Sequence, residues 1–188
     1  MKSTTKRLMG CLVLAGAMMT LPILGMGNSA SNPQKPQPRQ SGSYLKKEVG
    51  HQLRLLPYYS VFDNLEYRID GYHVELLGQV VKPTLKSEAE NVVKKIEGVQ
   101  GVTNHIQVLP LSSMDNRIRL AEYRSIYGQS TLNRYALQAV PPIHIIVDNG
   151  HVTLVGVVAN QGDKNVAGIQ AKTVPGVFSV TNNLRVEK

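Results

Sequence analysis

One stretch of this chain is written twice. GYHVELLGQV at 71–80 returns as NGHVTLVGVV at 149–158, and setting Gly78 on Gly156 fixes an offset of 156 − 78 = 78. That single offset carries 67–108 onto 145–186 without a gap, and fifteen of the 42 pairs are identical. They include Asp70 with Asp148, His73 with His151, Leu76 with Leu154, Gly98 with Gly176, and Val102-Thr103-Asn104 with Val180-Thr181-Asn182. A unit of this length present twice points to one small domain built in duplicate; a solenoid needs more copies and a shorter period.

Within each copy, alternating apolar residues predict two strands around a two-residue turn: 66–70 with 73–81, and 143–148 with 151–158. Asn149-Gly150 is the preferred pair for a type I′ hairpin, while Gly71-Tyr72 puts glycine first, as type II′ requires. Val74, Leu76 and Gly78 alternate with Glu75, Leu77 and Gln79, the pattern of a sheet covered by helices on one face only. Gly78 and Gly156, late in their strands, predict a bulge or the close approach of a helix.

After the first hairpin, Thr84 is placed to cap a helix whose Leu85, Ala89, Val92, Val93 and Ile96 share one face, with Gly98 ending it. The second copy is a poorer helix, because Gly168 costs about 1 kcal/mol relative to alanine. Ala167, Ala171 and Val174 nevertheless keep the stripe. A last strand follows in each copy, at 102–109 and 177–186. Ahead of the hairpins lie two more helical patterns, Leu45, Val49, Leu53 and Leu56 in the first copy and Leu120, Tyr123 and Tyr127 in the second. The predicted class is therefore α+β: two repeated αββαβ domains at 44–110 and 115–188, each a three-stranded sheet with two helices packed on one face. Each copy carries its own helices and strands and is expected to fold as a separable unit.

The N-terminus sets the compartment. Lys2, Lys6 and Arg7 precede an apolar run from Leu8 to Met26, and small residues follow, which reads as an export signal over 1–30. Cys11 lies ahead of most of that run rather than after it, so it does not form a lipoprotein cleavage box. Residues 31–43 carry Pro33, Pro36 and Pro38 and read as an extended tether. The whole chain holds 21 basic and 13 acidic side chains. Without 1–30 the basic count is 21 − 3 = 18, so about +5 remains and no cysteine. Disulfides and thiolate chemistry are then excluded, and an anionic partner is favoured over a cationic one.

The V-x-L-x-G-x-V of 74–80 and 152–158, with the G-V-x-x-V-x-N of 98–104 and 176–182, resembles the BON-domain family, small modules of envelope and secreted bacterial proteins that often occur in pairs. The resemblance covers most of 45–109 and 115–187. The second copy departs in Gly128–Pro142, a longer connection than Pro57–Leu65 of the first. The resemblance implies a periplasmic or otherwise exported protein, attached to the envelope, that contacts anionic phospholipid.

No constellation for catalysis emerges. Asp70 with His73, and Asp148 with His151, stand across the hairpin turns, where the aspartate is expected to cap its own turn and the histidine to partner it on a solvated rim. His51, His105 and His144 lie apart from any acid or nucleophile at a recognisable spacing, and no phosphate loop, nucleophile elbow or zinc pair appears. The chain reads as a non-enzyme without a cofactor or metal, and export argues against nucleic acid as a partner. Asn104 and Asn182 are expected to cap backbone at a turn.

The informative cations lie in DNRIRLAEYRSIYG from Asp115. On a helix, Leu120, Tyr123 and Tyr127 form a stripe with Arg117 and Arg124 on one side and Arg119 on the other. This is the layout of an interfacial helix whose arginines reach headgroup phosphates. It is equally the layout of a stripe packed on the sheet with arginine stems covering its edges. Arg117, Arg119, Tyr123, Arg124 and Tyr127 are thus the candidate contact residues. Anionic phospholipid is the leading partner, and a protein of an envelope or secretion assembly is the alternative.

Overall fold

The computed structural model describes residues 42–187, so the expected export signal and most of the expected tether lie outside the described residues. The first copy runs α1 (Gly42–Arg54), β1 (Asn64–Asp70), β2 (His73–Val80), α2 (Pro83–Lys94), β3 (Gly101–Asn104) and β4 (Gln107–Val108). The second runs α3 (Ser113–Tyr127), a 3-10 turn (Asn133–Leu137), β5 (Ile143–Asp148), β6 (His151–Val158), α4 (Gln161–Lys172) and β7 (Ser179–Val186). Each hairpin is antiparallel, and the last strand adds parallel to its second strand, giving the orders β1-β2-β3 and β5-β6-β7; β4 continues the line of β3 along β2.

The two cores follow the alternation. Val74, Leu76 and Val80 of β2 pack with Leu45, Val49 and Leu53 of α1 and Leu85, Ala89 and Val93 of α2. Val152, Leu154 and Val158 of β6 pack with Ile118 and Ile126 of α3 and Ala167 and Ala171 of α4. The opposite face of the first sheet is polar, with Arg68 donating to Glu75 at 3.1 Å and His73 bonded to Thr103 at 2.7 Å.

Both turns have the backbone their letters require. Asn149 and Gly150 both take positive φ, whereas in the first copy Gly71 does and Tyr72 does not. Gly78 and Gly156 sit at φ 108° and 133°. A β-carbon at Gly78 would lie 2.0 Å from the carbonyl oxygen of Asn64, and one at Gly156 1.8 Å from that of Pro142. The expected helix approach is therefore corrected: the neighbour is the backbone at the start of the adjoining strand.

Asn104 and Asn182 perform one task twice. Each donates from Nδ2 to a carbonyl of the crossover helix, Lys86 or Lys164, at 3.0 and 2.7 Å, and accepts from the amide two residues on, Ile106 or Leu184. The side chain ties helix to final strand. Thr84 does not cap α2; the helix opens on Pro83 behind Lys82, where proline's missing amide and fixed φ suit the first turn. In the second copy Asn160 takes the N-cap, accepting from Asp163 N at 2.9 Å.

Asp163 stands at 163 − 78 = 85, the position of fully buried Leu85. Its carboxylate is held by Arg134 and by Tyr135 Oη, and Tyr135 Oη also accepts from Ala159 N at 2.8 Å. The longer connection of the second copy thus supplies the partners that let a carboxylate replace a core leucine.

Candidate interaction surface

The phase of α3 decides which of its side chains are available to a partner. Gly98 and Gly176, equivalent in the repeat, face Leu45 and Ile118, which aligns the first helices at 118 − 45 = 73. Val49 then corresponds to Glu122 and Leu53 to Ile126. The buried face of α3 comprises Asp115, Ile118, Arg119, Glu122, Ile126 and Tyr127. This corrects the Leu120-Tyr123-Tyr127 stripe, since Leu120 is 50% exposed.

Three charged residues on the inward face hid the phase. Asp115 accepts from the amides of Asn149 and Gly150 at 3.0 and 2.8 Å and so closes the β5–β6 turn. Arg119 is buried and donates to the carbonyl of Val147 at 2.6 Å and to Asn116 at 2.7 Å. Burial lowers its pKa, while the charge of Asp115 works the other way. Glu122 is fully buried with neither carboxylate oxygen hydrogen-bonded among the described residues, and burial pushes its pKa up to about 8. At neutral pH the group is mostly the uncharged acid.

The five sequence-predicted contact residues accordingly divide. Arg119 and Tyr127 lie inside the domain, the tyrosine donating to Ile143 O at 2.6 Å. Tyr123 is half-buried against Tyr127 and Phe62. Arg117 and Arg124 remain exposed, and with Met114 and Leu120 they share the outward side of α3.

Sequence reasoning missed the apolar members of that surface. Leu111, just ahead of α3, is 93% exposed, and Phe178 is 77% exposed beside the hairpin turn, its ring 2.5 Å from where a β-carbon on Gly150 would stand. Met114 reaches to within 3.1 Å of the corresponding point on Gly176, two residues from Phe178. Arg117 Nη2 lies 3.7 Å from Met114 Sδ. One end of the second domain therefore gathers Met114 and Phe178 with Arg117, and Leu111 precedes Met114 by three residues. A signal existed for Phe178, because the first copy has Gln100 there.

The turn residues depart from expectation. Asp70 and His73, and Asp148 and His151, do stand opposite each other in register. Each histidine, however, bonds a hydroxyl of the last strand, His73 with Thr103 and His151 with Ser179, both at 2.7 Å. Among the described residues no group of three or more His, Cys, Asp or Glu is placed to hold a metal ion. No helix among them is long and apolar enough to cross a membrane.

Fold and surface define a class: a tandem pair of compact αββαβ modules, the second carrying an exposed apolar and basic end. The BON domain model matches residues 54–110 and 129–188, and the chain belongs to the BON-domain family. A search of curated protein sequences returns no match. Among solved structures, the chain is similar to the C-terminal domain of CdsD, the structural protein of the type III secretion system of Chlamydia trachomatis, at 14% identity and a TM-score of 0.27, covering 77% of this chain and 98% of that one. A second CdsD structure is similar at 14% identity and a TM-score of 0.28, covering 77% and 94%.

Proposed function

We propose that this protein is a non-enzymatic adaptor of the bacterial cell envelope whose second BON domain rests on anionic phospholipid. The observation that carries the reading is the shared exposure of Met114, Arg117, Leu120 and Arg124 along α3, with Leu111 and Phe178 at its N-terminal end. Apolar side chains exposed together and rimmed by basic ones mark an interaction surface, as scattered ones do not. Arginines beside them can reach headgroup phosphates, each contributing about 1 kcal/mol near an anionic surface. The export signal read from the sequence of 1–30 and the family both support an envelope setting.

Cosedimentation with vesicles tests the reading. Wild-type protein should pellet with vesicles containing phosphatidylglycerol, less so at high salt, and poorly with phosphatidylcholine alone. Undiminished binding in a folded Arg117→Gln, Arg124→Gln, Phe178→Ser variant, or no vesicle binding by the wild type, would remove the lipid assignment in favour of protein docking.

A further inference from the structure

The two BON domains meet through a short segment of the first. Between α1 and β1, residues 60–63 form a tight knot: Asp63 is buried and accepts from Ser60 N at 3.0 Å, Ser60 Oγ at 2.6 Å and Val81 N at 2.8 Å. The knot presents Val61, which packs in the core of the second domain, with Phe62 against that core as well. The carbonyl of Val61 accepts from Ile145 N at 2.8 Å, so the segment also pairs with the outer edge of β5.

His144 lies at the centre of this seam. Its ring stacks on Tyr59 of the first domain, centroids 5.6 Å apart and planes 25° from parallel. The ring faces the backbone carbonyls of Asp63 and Ser60, while its Nδ1 is buried with no partner among the described residues. A neutral ring with its proton on Nε2 fits these surroundings. A protonated ring would place a second N–H where nothing accepts it.

We propose that the seam between the two BON domains is an acid-released latch, with His144 as the group whose protonation loosens it. Charged and titratable groups flank the ring on both sides. The first domain offers the Asp63 carboxylate, already engaged, and the Tyr59 phenol; Arg54 borders the space on one side of His144, and Glu66 and Arg185 the cleft on the other. Burial outweighs the favourable influence of Asp63 and holds the His144 pKa below the ordinary value of 6.5. An opened seam would return the ring to water and to that value. Below pH 6.5 the open form then binds more protons than the closed form, so the closed population falls as pH falls through the window beneath 6.5. Above that window the latch holds.

Nuclear magnetic resonance on the full chain tests this directly, through the titration of the His144 ring and the exchange protection of the Ile145 amide, corrected for intrinsic exchange, between pH 7.5 and 5. The His144 pKa should lie below 6.5, and Ile145 protection should fall between pH 6.5 and that pKa, by up to about tenfold per pH unit, and level off below it. His144→Phe keeps a ring against Tyr59 and removes the titration, so its Ile145 protection should not change with pH. A His144 pKa at or above 6.5 overturns the proposal. So does Ile145 protection that is constant in the wild type or that falls equally in both proteins. Should the phenylalanine variant fail to fold, the wild-type titration decides alone.

Discussion

The carboxylate of Asp115, on the first turn of α3, accepts the amide proton of Gly150 at 2.8 Å, thirty-five residues away in sequence. With its second bond, to Asn149 N, the side chain closes the β5–β6 turn from outside the hairpin. Asp148, the residue next to the turn and the expected cap, is exposed and accepts from the Asn149 side chain at 2.9 Å rather than from the turn amides.

Asp115→Ala should therefore destabilise the second domain by about 1–3 kcal/mol, because it leaves the buried Gly150 amide without its acceptor. Asp148→Asn and His151→Asn should each shift stability by less than about 0.5 kcal/mol. Urea unfolding followed by circular dichroism measures all three. Equal losses at Asp115 and Asp148 would contradict the assignment of the cap.

Glycine substitutions separate strain from overlap. Gly156→Ala combines positive φ with a β-carbon 1.8 Å from a carbonyl oxygen, and the expected cost is about 2–5 kcal/mol from strain and forced strand displacement together. Gly71→Ala has the unfavourable φ but open space around it and should cost only about 1 kcal/mol. Their melting temperatures should rank wild type, Gly71→Ala, Gly156→Ala.

Glu122 gives the second domain a pH dependence of calculable sign. Its pKa is about 8 in the folded domain against an ordinary 4.5, so between these values the folded state holds a proton that the unfolded state has released. Stability is greatest below 4.5 and falls as pH rises toward 8, by up to about 1.4 kcal/mol per unit. Glu122→Val, which installs the residue found at the equivalent Val49, should remove this slope and raise stability at pH 8. A variant with the wild-type slope in chemical denaturation between pH 5 and 8 would assign the dependence elsewhere.

Fragments 44–110 and 115–188 each carry two helices and a sheet with an apolar core, and we expect both to melt cooperatively when expressed alone. The second fragment lacks Val61 and Phe62 and should be the weaker. In the full chain, Val61→Ala should lower stability by about 1–3 kcal/mol, chiefly through the second domain. Calorimetry on the two fragments, the full chain and the Val61→Ala variant checks both statements; a fully unfolded second fragment would mean that the domains share one cooperative unit.

The features legible in the sequence were those set by neighbours along the chain. The repeat gave two αββαβ modules, alternation gave strand faces and register, and Gly71 and Asn149-Gly150 gave the turn types, because strand period and positive φ are local properties. The helix phase in the first copy was legible for the same reason, since Leu45, Val49 and Leu53 are apolar and all face inward. In the second copy that logic failed, because Asp115, Arg119 and Glu122 face the core and pattern reading sends charged residues outward.

What made those positions tolerable lay far away in sequence. Asp115 needed the amides of the turn, Arg119 the carbonyl of Val147, and Asp163 the phenol of Tyr135. Only tertiary structure brings those partners together, whereas Glu122 avoids the cost of a buried charge by holding its proton. The insertion of Val61 into the second core and the seating of Tyr59 on His144 are likewise invisible to periodicity, since a loop of mixed letters reads as solvent-facing until a second domain covers it. The amino-acid pattern thus determined the modules, while the fold decided which arginines face out and how one module holds the other, because desolvation can be offset only by groups that folding brings together.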